Sequence, residues 1–316
     1  MTEALTARSV RALGERYSNW GRWGPDDERG TLHFITPERV LGACSLPRRG
    51  RVISCALPFD ENGPQTGAGG RHNPIHVMLC DGGDAVSGAQ EGPGGLCYAD
   101  DSITMPLQCG TQWDALSHIS YDGRMYNDRD VRLVSSRGAA VNAITAVADG
   151  ITGRGVLLDL PRFLRIDALV NGTPVLPRDL DACAEAQGVA IESGDVLLVR
   201  TGAMKRHLAS GSWQGYIGAT PGLSILCARW LYEREIAAVA TDTFCVEVVP
   251  SEVPDCAMPL HMISLRNTGV HFGEMFQLEE LAEACAEDGE YAFLFCAPPL
   301  PITGAVGSPI NPLAIK

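Results

Sequence analysis

Apolar, β-branched runs recur through the second half of the chain, each closed by a glycine or a charged turn. Short runs of this kind mark buried strands. They predict strands at "GVLLDL" (155–160), "DVLLVRTG" (195–202), "IAAVATD" (236–242) and "YAFLFCA" (291–297). Between them the apolar spacing lengthens to the helical period at 177–187, 221–234 and 277–287, with Pro221 and Gly222 read as a helix start. "TPERVLGAC" opens a further helix on Thr36 as N-cap and Pro37 at its first position. Strands alternating with helices predict an α/β fold on a mixed sheet, and neither a repeat nor a linker divides the chain into several domains.

The N-terminal third departs from this rhythm. Residues 1–50 read as a helical arm. Its stretch "WGRWGPDDERGTLHFI" holds too much Trp, Gly and Pro for a helix, and is expected to pack on the body or on a partner subunit. The body, 51–316, opens on the strand pattern "RVISCALPF". From Glu61 to Gly95 the chain is glycine-dense and broken only by "IHVMLC", which suggests a lid or binding loop. No phosphate-loop spacing and no GxGxxG follows a strand, so nucleotide binding is unsupported.

Composition narrows the function. A chain of 316 residues with 45% hydrophobic and 20% charged residues is ordinary for a globular protein. Its net charge of -13 excludes nucleic acid and anionic membranes as partners, since both select basic patches. No run approaches the ~18 apolar residues of a membrane span. The amphipathic start "MTEALTARSVRALGERY" lacks the apolar stretch of a secretion signal, so a cytoplasmic location is expected. The 11 cysteines are scattered singly, without a CxxC pair, which fits reduced thiols. The sequon at Asn171 is then a chance match.

Candidate chemistry concentrates in "LQCGTQWDALSHISYDG" (107–123), which carries Gln108, Gln112, Asp114 and His118. An extended segment up to Asp114 would put 108, 110, 112 and 114 on one face. A helix starting on Asp114 as N-cap would bring His118 back to that carboxylate one turn later. A second segment, "PLHMISLRNTGVHFGEMFQLEELAEACAEDG", holds His261, His271 and Glu274. Alone, His261 in an apolar helical stretch reads as core, and Glu274 as a charge at a helix start. Joined to Asp114 and His118, they supply two carboxylates and an imidazole for a divalent cation, with a second imidazole free to move protons. Cys109 is either a nucleophile within reach of His118 or a small core thiol. His72 and His76 are candidates to line a pocket from the glycine-rich loop, the alternative for His76, which precedes an apolar run, being simple burial. Trp113, Phe59, Trp20 and Trp23 are either walls for an aromatic or cyclic small-molecule substrate or ordinary core aromatics.

These residues resemble the cyclase, or kynurenine formamidase-like, family of metal-dependent hydrolases, which includes isatin hydrolase and a trans-dienelactone hydrolase. The family signature His-x-Gly-Thr-His-x-Asp-x-Pro-x-His is met here by Gly110, Thr111, Asp114 and His118. Both leading histidines are glutamine, and the proline is Leu116. The resemblance extends through "GVLLDL", "GDVLLVRTG", "ATDTFCVEVVP" and the tail "APPLPITGAVGSPINPLAI". It implies a single α/β domain with helices around a barrel-like sheet, assembled as a homodimer or homotetramer. It also implies metal ligands at Gln108, Gln112, Asp114, His261 and Glu274, with His271 competing for the place of His261, and His118 as the catalytic acid/base. Amide oxygens are harder and weaker ligands than imidazole, so the glutamines favour Mn²⁺ over Zn²⁺, or else mark a pocket with no metal at all. The expected activity is hydrolysis of a small cyclic or aryl amide or lactone. The alternative is a metal-free cyclase, dehydratase or isomerase using the same pocket.

Overall fold

The apolar runs assemble into one curled mixed sheet. In the computed structural model, which describes residues 5–316, its strands are β1 (Val52–Ser54), β4 (Gln112–Asp114), β5 (Thr152–Asp159), β6 (Val196–Arg200), β7 (Ala238–Thr241), β8 (His271–Glu274), β9 (Ala292–Cys296), β10 (Gly307–Pro309) and β11 (Leu313–Ile315). They are ordered β1-β11-β9-β5-β6-β7-β8-β4-β10 and curl into a half-barrel. Two further strands, β2 (Ile75–Cys80) and β3 (Asp100–Thr104), form a hairpin outside that sheet. β5 to β8 run parallel, and the strands flanking them are antiparallel.

Alternation along the strands divides the core in two. Val156, Leu158 and Val199 face the helices Pro177–Gln187 and Cys227–Glu233, where they meet Leu180, Cys183, Trp230 and Leu231. Leu157 and Leu198 face the other way, onto Trp113, Phe276, Phe293 and Phe295 and the helix Glu279–Asp288. All four strands predicted in the second half, and two of the three helices predicted between them, are therefore found within a few residues of their expected limits. The helix expected at 221–234 begins only at Cys227. Gly222 and Leu223 instead pair with Pro174 and Val175, and a Cβ at Gly222 would come within 2.5 Å of the Glu247 carbonyl oxygen. That glycine serves a close passage of two chain segments rather than a helix start.

The N-terminal segment packs on the body. Helix Ala7–Arg16 is capped by Thr6 and lies on the helical turn Met262–Thr268. The Trp20 indole donates to the Arg266 carbonyl at 2.7 Å. No helix among the described residues is long and apolar enough to cross a membrane, and all eleven cysteines are free.

Candidate active site

The antiparallel pairing of β8 with β4 sets Glu274 directly opposite Gln112, and Gly273 opposite Trp113. With a side-chain period of two, Gln112, Asp114 and Glu274 share one face while Trp113 points to the other. Gln112 Nε2 donates to Glu274 Oε2 at 2.7 Å. Gln112 Oε1 and Asp114 Oδ1 are both buried and have no hydrogen-bond partner. Buried acceptors left in this state cost free energy unless something else fills them.

His261 reaches the same face from another direction. It ends a short helix, Pro259–His261, which continues as a π-helical turn, Met262–Thr268, closed by Gly269 in the left-handed region. Such turns are rare and frequent at functional sites. His261 Nδ1 lies 2.5 Å from Glu247 Oε1, and its Nε2 lies 3.4 Å from Glu274 Oε1. Glu247 also accepts the backbone N–H groups of Leu260 at 3.0 Å and His261 at 2.8 Å, which fixes the ring's entry. Burial by itself would lower the His261 imidazole, but hydrogen bonds to Glu247 and Glu274 outweigh it and raise it to about 10. His271, its sequence competitor, faces away. Its Nδ1 donates to the Asp114 carbonyl at 3.0 Å, and burial lowers its pKa, leaving a neutral structural histidine.

Asp114 is buried and His118 is partly open to solvent, with 3.8 Å between His118 Nε2 and Asp114 Oδ1. Burial pushes the Asp114 carboxyl up; Glu274 adds to this, and His118, His261 and Arg71 oppose it. The helix expected to start at Asp114 does not form. Asp114 ends β4, and a turn closed by His118 N–H on the Ala115 carbonyl at 2.9 Å carries the chain onward. The extended segment is also shorter than expected, because residues 107–111 form turns and bends before Gln112. Gln108 consequently lies against Gly307, and its buried amide nitrogen has no hydrogen-bond partner.

Two residues absent from the sequence expectation join the cluster. Cys245 Sγ, His261 and Glu274 offer ligand atoms within 4.8 Å of one another, all three buried. Glu247 holds the outer edge of the imidazole. Burial, followed by Glu247 and Glu274, keeps the Cys245 thiol well above its ordinary range. A carboxylate inside the apolar run "CVEVVP" was the signal available for Glu247, since a buried charge must be paired. Cys245, His261 and Glu274 supply a thiol, an imidazole and a carboxylate of the kind that hold a divalent cation, and the orphaned Gln112 Oε1 and Asp114 Oδ1 belong to residues on the Glu274 face of the sheet.

The aromatic candidates are distributed differently. Trp113 is fully buried on the opposite face, packed on Phe276 with ring centroids 5.2 Å apart, and its indole donates to the Ala297 carbonyl. It is core, because the alternation that turns Gln112 and Asp114 inward turns Trp113 away. Trp20 lies under the Arg266 guanidinium, and Trp23 stacks on His33 along a groove with Asp27 and Arg29. Phe59 is half-buried against Gly110. His76 pairs with Asp101 on the exposed hairpin, and His72 Nδ1 lies 2.7 Å from the Asn73 carbonyl oxygen. Burial pushes the Cys109 thiol up to about 11, which disfavours the thiolate that a nucleophile needs. The wall next to the cluster is instead a cleft of about 400 Å³ lined by Gln65, Arg71, Ile217, Phe244 and Met275 among others. Phe244 precedes Cys245, and Met275 follows Glu274.

Residues 33–248 match the sequence profile of the Cyclase family. A solved structure described as a novel cyclase is 39% identical over 96% of this chain and 99% of its own, with a TM-score of 0.87. Isatin hydrolase A from Ralstonia solanacearum is 19% identical over 84% of this chain and 91% of its own, at a TM-score of 0.62. Isatin hydrolase A from Labrenzia aggregata, bound to benzyl benzoate, is 18% identical over 84% and 93%, at 0.58. The last two likenesses are of fold. No curated protein matches the chain.

Proposed function

The chain belongs to the cyclase family, and from the geometry of its site we propose that it is a metal-assisted hydrolase of a small cyclic or aryl amide or lactone. The observation that carries this reading is the burial of Asp114, His261 and Glu274 together beneath a partly exposed His118. Sharing a fold with isatin hydrolases supports it. Asp114, His261 and Glu274 would hold the cation, with the free Gln112 Oε1 within reach. A bound divalent ion polarises a carbonyl and lowers the pKa of water.

The protein's own groups do the rest. His118, on the solvent side of Asp114, takes the proton of the attacking water and passes it to the departing nitrogen or oxygen. Asp114 Oδ1 lies 3.8 Å from the ring's Nε2 and marks the side of His118 that faces the cluster. Glu247 grips Nδ1 of His261, so Nε2 faces Glu274 and the ligand position. Gln112 holds one oxygen of Glu274 and leaves the other toward His261. The cleft supplies Phe244, Ile217 and Met275 for an apolar ring, and Arg71 a positive charge for the carboxylate that hydrolysis releases. The assembly is a homo-oligomer in this reading. The β2–β3 hairpin exposes Val77, Met78, Leu79 and Ile103, more apolar surface than a lone two-stranded ribbon keeps in water, and a second copy of the chain would cover it.

One observation favours the second reading, a metal-free cyclase, dehydratase or isomerase. A protonated His261 between Glu247 and Glu274 offsets their charge without an ion. Elemental analysis of tag-free protein purified without chelator, with a panel of cyclic amides and lactones, separates the two. The hydrolase reading expects a stoichiometric divalent metal and turnover lost on stripping. Full turnover by metal-free protein would overturn it.

A further inference from the structure

We infer that Cys245 is a ligand of the bound cation, so that the cluster is a thiolate–imidazole–carboxylate site that selects zinc or cobalt over manganese. This rests on the metal-assisted reading above. Cys245 is buried like Cys55, Cys183, Cys227 and Cys285, yet those four pack within the hydrophobic core and Cys245 does not. Its neighbours are polar: Sγ lies within 4.8 Å of ligand atoms on His261 and Glu274, and Glu247 and Asp114 are close enough for their charges to act on it. A tetrahedral ion with sulfur at ~2.3 Å and nitrogen at ~2.0 Å draws such donors to about 3.5 Å apart. Small side-chain rotations close that difference.

Three features make the sulfur a ligand rather than a bystander. His261 is already oriented as a metal-bound histidine is, with Nδ1 tied to a carboxylate and Nε2 directed at Glu274. Gln112 Oε1 and Asp114 Oδ1 are buried without partners on the same face. Gln112 spends its amide nitrogen on Glu274, so the glutamine orients a carboxylate and the site needs its soft donor from elsewhere. One thiolate and one carboxylate balance a divalent charge, with Asp114 adding a further oxygen. Hard amide and carboxylate oxygens alone would favour manganese; thiolate shifts the preference toward zinc and cobalt.

The test uses the full-length chain stripped of metal and titrated anaerobically with cobalt(II) chloride. Wild type is expected to show a near-ultraviolet sulfur-to-cobalt charge-transfer band at one equivalent. Cys245→Ser should bind cobalt without that band and lose zinc affinity by ~100-fold or more, beyond what an outer partner contributes, while manganese affinity changes little. Cys109→Ser, at a buried thiol outside the ligand group, should keep the band. Stoichiometric cobalt in wild type with no charge-transfer band would overturn the role of Cys245 and leave the metal reading standing. Failure of wild type to bind cobalt or zinc at all would overturn both. The wild-type band needs no variant to fold, and circular dichroism of Cys245→Ser separates lost ligation from lost structure.

Discussion

Gln112 and Glu274 face each other across β4 and β8, joined by a 2.7 Å hydrogen bond from the amide nitrogen to the carboxylate. The register alone produces this contact, since Cα partners on one face of an antiparallel pair meet side chain to side chain. A histidine at 112 would offer a stronger ligand but a differently placed donor. The glutamine keeps Glu274 aimed while leaving Oε1 free. Gln108 has no such partner: a turn precedes β4 and leaves its amide against Gly307.

The two glutamines should therefore respond differently to loss of their amides. Gln112→Leu strands a buried carboxylate oxygen and is expected to cost about 1–3 kcal/mol in the metal-free protein. Gln108→Leu removes a donor already without a partner and should cost less than ~0.5 kcal/mol. Urea midpoints at unchanged slope measure both. Equal losses would mean that the Gln112–Glu274 bond contributes nothing specific.

His118→Ala should lower turnover by ~10²–10⁴-fold, the usual contribution of a positioned acid/base, on whichever substrate the panel identifies. His118 is separated from Asp114 by 3.8 Å and belongs to no core cluster, so fold and metal content should be unchanged. Retention of more than about a tenth of the activity would remove it from the proton path.

Gly273→Ala is expected to destabilise by about 1–3 kcal/mol through overpacking. A methyl there would lie 2.5 Å from Trp113 Cζ3 and 2.7 Å from both Ala240 Cβ and Phe276 Cε2. Neither the indole, held by the Ala297 carbonyl, nor the β7 backbone can retreat easily. The thermal midpoint reports the cost, and an unchanged midpoint would show that this side of the sheet yields.

Strands and helices with long apolar runs were legible because burial alone dictates their pattern: 155–159 lies within β5, with Leu160 opening the short helix that follows, and 177–187 matches its helix residue for residue. Local signals failed where tertiary contacts outbid them. Asp114 has the chemistry of an N-cap, but its carboxylate belongs to the cluster, and Ala115 and Ser117 N–H groups bond instead to the Val306 and Asn142 carbonyls. Trp113, left open between substrate wall and core, could have been decided from the sequence: the period of two that gathers Gln112 and Asp114 already sends it to the far face. Cys245 was invisible for a different reason. Nothing in "DTFCVEVVP" distinguishes a core cysteine from one meeting His261 and Glu274, which lie 16 and 29 residues further along the chain.

The remaining prediction concerns Cys109, the other thiol beside the motif. Thiolate is the reactive form, and burial raises the Cys109 pKa to about 11. A raised thiol pKa means less thiolate at any given pH: at pH 8 roughly one molecule in a thousand carries it. Cys44 and Cys97 are exposed. Iodoacetamide at pH 8 should therefore label Cys44 and Cys97 while sparing Cys109, with labelling of Cys109 rising only as pH approaches 11. Cys109→Ser should keep turnover near wild type, since His118 then needs no nucleophile besides water. Peptide mass mapping of the labelled protein and kinetics of the variant read the two arms. Rapid alkylation of Cys109 with parallel loss of activity would place a covalent intermediate in the reaction and displace water as the attacking group.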